Sequence, residues 1–161
     1  MIVLSKEKLF LADPYNEVHI KAISSFEKEN HINQKTSNEL KRIKTKFLKR
    51  QYLKSKRISN EISLALFIAE KGVIKDGCHI QCERDIKNCK ITFLPPTSPL
   101  RKKMILSATN YALETLKMKI VFLDVNQRDK LIVSYLEKNG YENLGEEKDK
   151  ILFLKEKVEV Q

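Results

Sequence analysis

Two groupings of residues have the types and spacing to do chemistry. The first is Cys78-His79-Ile80-Gln81-Cys82, three potential metal donors within five positions. The segment alternates like a strand, so Cys78, Ile80 and Cys82 share one face while His79 and Gln81 share the other. Cys89 supplies no second ligand pair, so the expectation is three buried free thiols and no metal. The odd cysteine count, and the lack of a leader-like apolar core in Met1–Ala12, read as a reducing, cytoplasmic setting. His31 and His79 stand alone and read as non-catalytic, and His19 reads as a boundary residue of a helix.

The second grouping is electrostatic. The 161-residue chain has a formal net charge of +10, and Lys35–Arg57 alone holds ten Lys/Arg against one acid, Glu39. The rest of the chain is nearly neutral, with 21 bases and 20 acids. Three readings stay open: a solvated helix face, a surface for an acidic partner or anionic substrate, and phosphate-backbone binding. Nucleic acid is the least supported, because only Phe47 and Tyr52 interleave the charges and no recognition motif accompanies them. With 42% hydrophobic and 32% charged residues the chain is globular in composition, and no apolar run reaches the roughly 18 residues of a bilayer-spanning helix.

These residues need elements to position them. Leu9-Phe10-Leu11 reads as a first strand, and Asp13-Pro14 as the N-cap and first position of a helix ending near Asn30. Val18, Ile20, Ala22, Ile23 and Phe26 give that helix its apolar face. Thr36 or Ser37 caps one long second helix through Arg57, with Leu40, Ile43, Phe47 and Leu48 inward. Ile62–Ala69, Val73–Cys82 and Asn88–Leu94 read as an antiparallel meander, with Asp76-Gly77 turn-like inside the second. Pro95, Pro96 and Pro99 break the pattern before a helix from Pro99 or Leu100 to Leu116. Met104, Ala108, Tyr111, Ala112 and Leu116 line one face of it. Ile120–Val125 is a strand, Arg128 or Asp129 to Asn139 a helix, and Gly140 its left-handed C′ residue. Tyr141–Leu144 and Ile151–Leu154 close as a hairpin around Gly145–Lys150, and the tail from Lys155 reads as frayed. The expected class is α/β (α+β): one domain over 1–161, with a mixed, mostly antiparallel central sheet flanked by about four helices.

The element order resembles the GNAT acyl-CoA N-acetyltransferases over nearly the whole chain. At residue level the likeness is best from Ile91 to Leu154, in Ile120–Asn126 and above all in Leu136-Glu137-Lys138-Asn139-Gly140-Tyr141. That run looks like the family's Tyr-Glu-Lys-x-Gly-Phe helix closure, with Tyr141 where Phe is usual and Leu144-Gly145 following. The resemblance implies acetyl-CoA as co-substrate. Its pantetheine arm would lie along Lys90–Leu94, with the Phe93 and Leu94 backbone orienting the thioester and Asn126 facing the arm. Its pyrophosphate would lie at the following helix N-terminus, where backbone N–H groups and the helix dipole favour an anion. The family's Arg/Gln-x-x-Gly-x-Gly/Ala loop maps onto Arg101-Lys102-Lys103-Met104-Ile105-Leu106. Arg101 matches, while Met104 and Leu106 replace two small residues whose role is close backbone approach. Arg101, Lys102, Lys103, Met104 and Ile105 would together hold the pyrophosphate, with Arg101, Lys102 and Lys103 partly compensating as direct phosphate ligands.

Many family members protonate the departing thiolate with a Tyr four residues before the Gly. That position holds Leu136 here, and Tyr135 beside it is the candidate acid, about 100° around the helix. No motif assigns the base; Glu70, Glu83 and Asp124 are acids near strand ends. The resemblance thus implies acetyl (acyl) transfer from CoA to an amine acceptor, and the basic segment suits an anionic one. Homodimers are common in this fold. The alternative is a GNAT-fold binding or regulatory protein without efficient transfer.

Overall fold

The computed structural model describes residues 8–12 and 14–158. The helices are α1 (Glu17–Glu29), α2 (Lys35–Arg42), α3 (Lys46–Ile58), α4 (Arg101–Asn110) and α5 (Lys130–Lys138). A π-helical turn, Tyr111–Thr115, continues α4. Strands β1 (Lys8–Leu11), β2 (Glu61–Glu70), β3 (Val73–Glu83) and β4 (Asn88–Phe93) form an antiparallel meander. β5 (Ile120–Asn126) pairs in parallel with β4. The hairpin of β6 (Glu142–Glu147) and β7 (Lys150–Glu156) then completes a seven-stranded sheet in the order β1-β2-β3-β4-β5-β7-β6. A parallel neighbour needs a long crossover, which α4 and its π turn provide. The sheet is mixed and mostly antiparallel, as expected.

Strand alternation sorts the sheet into two faces. Cys78, Ile80 and Cys82 of β3, Cys89 and Ile91 of β4, and Val121, Leu123 and Val125 of β5 all turn to one side. There they meet Met104, Ile105, Ala108 and Ala112 on the α4 crossover, and Ile132 and Leu136 of α5. Each large side chain fully buried in this layer contributes roughly 1.5–3 kcal/mol. The other face is divided. Near β1 and β2 it is covered by Ile20, Ile23 and Phe26 of α1 and Leu40 of α2, packed on Phe67, Ala69, Ile74 and Leu94. Farther across, by the same alternation, it carries His79, Gln81, Lys90, Thr92 and Asp124.

Several expectations give way to local physics. The proposed N-cap Asp13 lies outside the described residues; α1 begins after Asn16, whose side chain accepts from the His19 N–H at 3.1 Å, so Pro14 precedes the helix. Val18 is exposed. The long basic helix is two helices, because Thr45 breaks it by capping α3, its hydroxyl accepting from the Leu48 N–H. Phe47 and Leu48 consequently lie on the outer side of α3 and are exposed. Thr36 and Ser37 are inside α2 rather than caps. The Gln34 side chain makes no cap bond there, and the buried Glu27 carboxylate of α1 accepts from the Ser37 N–H instead, a negative charge at the helix's positive end. The hairpin turn is only Lys148-Asp149, and the presumed frayed tail pairs as β7 through Glu156.

The closure of α5 is as the sequence indicates. Gly140 adopts φ +82° and the Tyr141 N–H donates back to Leu136 O at 3.1 Å. This is the 6→1 bond of a Schellman cap, with Tyr141 and Leu136 in the same core as its apolar contact. The Tyr141 hydroxyl and Thr109 Oγ1 are hydrogen-bonded at 2.8 Å, tying the cap to α4.

Candidate active site

The parallel ladder between β4 and β5 ends at Thr92↔Asp124. Both strands run on past this point, β4 to Phe93 and β5 to Asn126. β5 stays paired with β7 to the Asn126↔Lys150 position, so the two central strands part while each keeps its outer partner. β4 then leads through Leu94–Leu100 into the N-terminus of α4, where the N-cap residue Leu100 is apolar and no side chain caps the helix.

At this opening the candidate residues sort themselves. The Leu94 N–H donates to Gly77 O of β3 at 2.9 Å, and the Leu94 carbonyl accepts from Arg101. Both its backbone groups are engaged on the β3 side, so Leu94 is corrected from thioester contact to structural anchor. Alternation then aims the Phe93 backbone toward β5, at the ladder's end.

Arg101 is the second correction. Its guanidinium is buried in a two-pronged ion pair with Asp76, Nε to Oδ2 at 2.8 Å and Nη2 to Oδ1 at 3.1 Å. The same Nη2 donates to the carbonyls of Leu94 and Pro96, and the guanidinium carbon lies 5.0 Å from the Phe93 ring centroid. Arg101 therefore pins the β4–α4 connection to β3 from inside through Nε and Nη2. Asp76 and Gly77, read as a turn, lie within β3; Asp76 is fully buried and also accepts from the Gly77 N–H at 2.8 Å. A register shift opposite Ile68/Ala69 gives the strand its irregularity there. The one sequence signal for this anchor was an Asp-Gly pair inside a segment that otherwise alternates like a strand.

Lys102 and Lys103 are exposed on the first turn of α4. Met104 and Ile105 are fully buried beneath that turn, and Leu106 is exposed farther along it. The bulk replacing the first small residue thus points into the core. Tyr135 of α5 is half-buried, with the Lys102 ammonium 5.6 Å from its ring centroid, whereas Leu136 is fully buried. The structure brings Tyr135, not residue 136, to the first turn of α4. Asn126 is exposed, and its carboxamide oxygen accepts from the Arg128 N–H at 2.9 Å, closing the turn into α5.

On the opposite face a cavity of about 240 Å³ is lined by Lys35, Glu39, Tyr52, His79, Gln81 and Thr92, among others. His79 stands directly across from Thr92. Burial, and then the charge of Lys35, hold its imidazole below the usual histidine range, with Glu39 opposing. A larger cavity, about 640 Å³, lies toward the other end of β4 around Asn88, Cys89 and Lys90. It is remote from the ladder's end, although the two cavities share Ser63 and Gln81. Of the three acids named as bases, none lines the cavity at Thr92, and Asp124 is paired with Lys90 at 2.9 Å. All three cysteines are buried free thiols; burial pushes the Cys78 thiol up, and Cys82 Sγ and Cys89 Sγ are 2.8 Å apart across β3 and β4. Among the described residues, no group of three or more His, Cys, Asp or Glu converges on a point, and no helix is long and apolar enough to cross a membrane.

This architecture is that of the GNAT N-acetyltransferases. The ribosomal-protein-S5-alanine acetyltransferase of Vibrio fischeri superposes with a TM-score of 0.65 at 10% identity, over 93% of this chain and 92% of its own. A GNAT-family acetyltransferase of Streptococcus pneumoniae gives 0.61 at 16% identity, over 94% and 99%. The Campylobacter jejuni N-acetyltransferase PseH in complex with acetyl coenzyme A also gives 0.61 at 16% identity, over 95% and 100%. At these identities the likeness establishes the fold. No family model matches the sequence, and no curated protein matches it.

Proposed function

We propose that this chain is an acyl-CoA-dependent N-acyltransferase, transferring an acetyl or related group to an amine. The observation that carries the reading is the parting of β4 and β5 after Thr92↔Asp124, beside an α4 N-terminus that no side chain caps. Similarity to PseH, solved with acetyl-CoA, supports the same ligand class.

Acetyl-CoA, when bound, supplies an acyl group activated as a thioester. In this reading the Phe93 backbone at the ladder's end aligns the arm by strand-like pairing. Ser98 already holds the Leu100 and Arg101 N–H groups, so the first-turn N–H groups beyond Arg101 favour the pyrophosphate through the helix dipole, and Lys102 and Lys103 add positive charge on that turn. Met104 and Ile105 fix that turn from below, and Arg101 fixes it through Asp76. Asn126 shapes the opposite strand's exit into α5. Tyr135 is the group at hand to give a proton to the departing sulfur.

Calorimetry with acetyl-CoA tests this. Micromolar binding is expected, weakened at least about tenfold in K102A/K103A by the loss of charge-assisted phosphate contacts. Tyr135→Phe should bind normally while lowering kcat on the order of 10²-fold. No heat at millimolar acetyl-CoA would sink the proposal. A second reading, a GNAT-fold binding protein without efficient transfer, draws on one observation: both backbone groups of Leu94 are engaged by Gly77 and Arg101. Tight acetyl-CoA binding with no thiol release across an amine panel would select it.

A further inference from the structure

The acceptor side of the reaction is not named by any motif, but the sheet's second face offers a built position for it. Thr92 is the last β4 residue laddered to β5, and it lines the 240 Å³ cavity. That cavity therefore abuts the place where the two strands part. Its wall holds one imidazole, His79, in register with Thr92 and on the same side of the sheet. α2 contributes Lys35 and Glu39, and α3 contributes Tyr52. The neighbouring charges on the same face of β4 and β5, Lys90 and Asp124, neutralise one another at 2.9 Å. The two helices that supply this wall hold most of the chain's excess positive charge: α3 carries Lys46, Lys49, Arg50 and Lys54 with no acid, and α2 carries Lys35, Lys41 and Arg42 against Glu39, although Lys41 and Lys49 line a separate cavity.

We propose that this cavity is the acceptor pocket, that it takes a small primary amine whose other end is anionic, and that His79 receives the proton the amine nitrogen loses. The inference rests on the acyl-transfer reading. The amine must reach the thioester with a free lone pair. As its nitrogen bonds the acyl carbon, the carbon–sulfur bond breaks and the electron pair leaves on sulfur. The nitrogen then sheds a proton to the His79 imidazole, and the thiolate takes one from Tyr135 or solvent, giving amide and free thiol. A histidine kept neutral by burial and by Lys35 can accept that proton at physiological pH. Lys35 in the lining fits phosphate, sulfate or carboxylate at the acceptor's far end, and the net positive charge of α2 and α3 favours the approach of an anion.

The test has a binding arm and a kinetic arm. In the ¹⁵N-labelled protein the imidazoles of His19, His31 and His79 are followed by NMR while 2-aminoethyl phosphate is added, with spermidine as the cationic comparison. Saturable movement of the His79 signals alone is expected with the anionic amine, at least fivefold weaker in Lys35→Gln and absent with spermidine. No movement of His79, or equal movement of all three histidines, overturns the pocket. In the kinetic arm, His79→Gln should lower kcat/KM for 2-aminoethyl phosphate by about 10²–10⁴-fold, remove the imidazole's part of the acid limb of its pH profile while the part due to the amine itself stays, and leave acetyl-CoA binding unchanged. Transfer at the wild-type rate and profile in His79→Gln overturns the role of His79 and leaves the acyltransferase standing. Failure of the wild type to bind acetyl-CoA removes the acyltransferase reading, and the proton role with it, whatever His79 does in the binding arm.

Discussion

Arg101→Ala should cost far more stability than an exposed phosphate ligand would. The Arg101 and Asp76 side chains are 8% and 0% exposed, so solvent screens the pair little. Truncating the arginine strands a buried carboxylate with only the Gly77 N–H, and removes a donor from the Leu94 and Pro96 carbonyls. Breaking a buried pair from one side costs about 3–5 kcal/mol. That is a large share of the roughly 5–15 kcal/mol that holds a domain together. For a chain of this length, about 2–4 °C per kcal/mol translates this into a fall of roughly 6–20 °C in Tm. Asp76→Ala should cost a similar amount by stranding the guanidinium. The double variant should fall short of the sum by as much as about 3 kcal/mol, because both single changes break one interaction. Urea unfolding of all four proteins, with m constant, completes the cycle. Additive costs, or an Arg101→Ala midpoint within error of wild type, would refute the view of Arg101 as an internal pin. K102A/K103A serves as contrast, since exposed changes usually stay within about 0.5 kcal/mol.

Two further outcomes follow from packing and charge. Gly77→Ala should destabilise by about 1–3 kcal/mol, because an added Cβ would lie 2.6 and 2.8 Å from atoms of the fully buried Phe67 ring, itself packed between Phe10 and Phe26; an unchanged melting temperature would show that the ring can yield. Stability should fall on acidification from pH 7 to 5, through a part that His79→Gln removes. His79 has its pKa lowered in the fold by burial and Lys35, so below the unfolded value of about 6.5 the unfolded chain binds more protons, and above it the contribution is constant. Parallel urea-midpoint profiles for the two proteins between pH 5 and 7.5 would count against it.

Much of the fold was legible because its signals are local. Period-two alternation in Val73–Cys82 and Asn88–Leu94 marks strands with one buried face, and the same residues are buried in the structure. Lys138-Asn139-Gly140 ends a helix because glycine alone takes φ +82° without a Cβ clash, and Gly140 does so. The α2–α3 break was harder, since Thr45 is as good a surface helix residue as a cap until Leu40 must pack on α1 while Phe47 stays outside.

The sequence by itself determined the order and type of most elements, a mixed and mostly antiparallel sheet, and the segment holding nearly all the net charge. Only the tertiary structure decided what Arg101 does. Its partner Asp76 is 25 positions away, and no local pattern distinguishes a guanidinium waiting for phosphate from one already paired. The same holds for His79 and Thr92, thirteen positions apart yet opposite each other because the β3–β4 register puts them there. Local propensity acts over three or four residues, whereas a site is made by strand register and helix docking. Which side chains meet at the parting of β4 and β5 is therefore a property of the folded sheet.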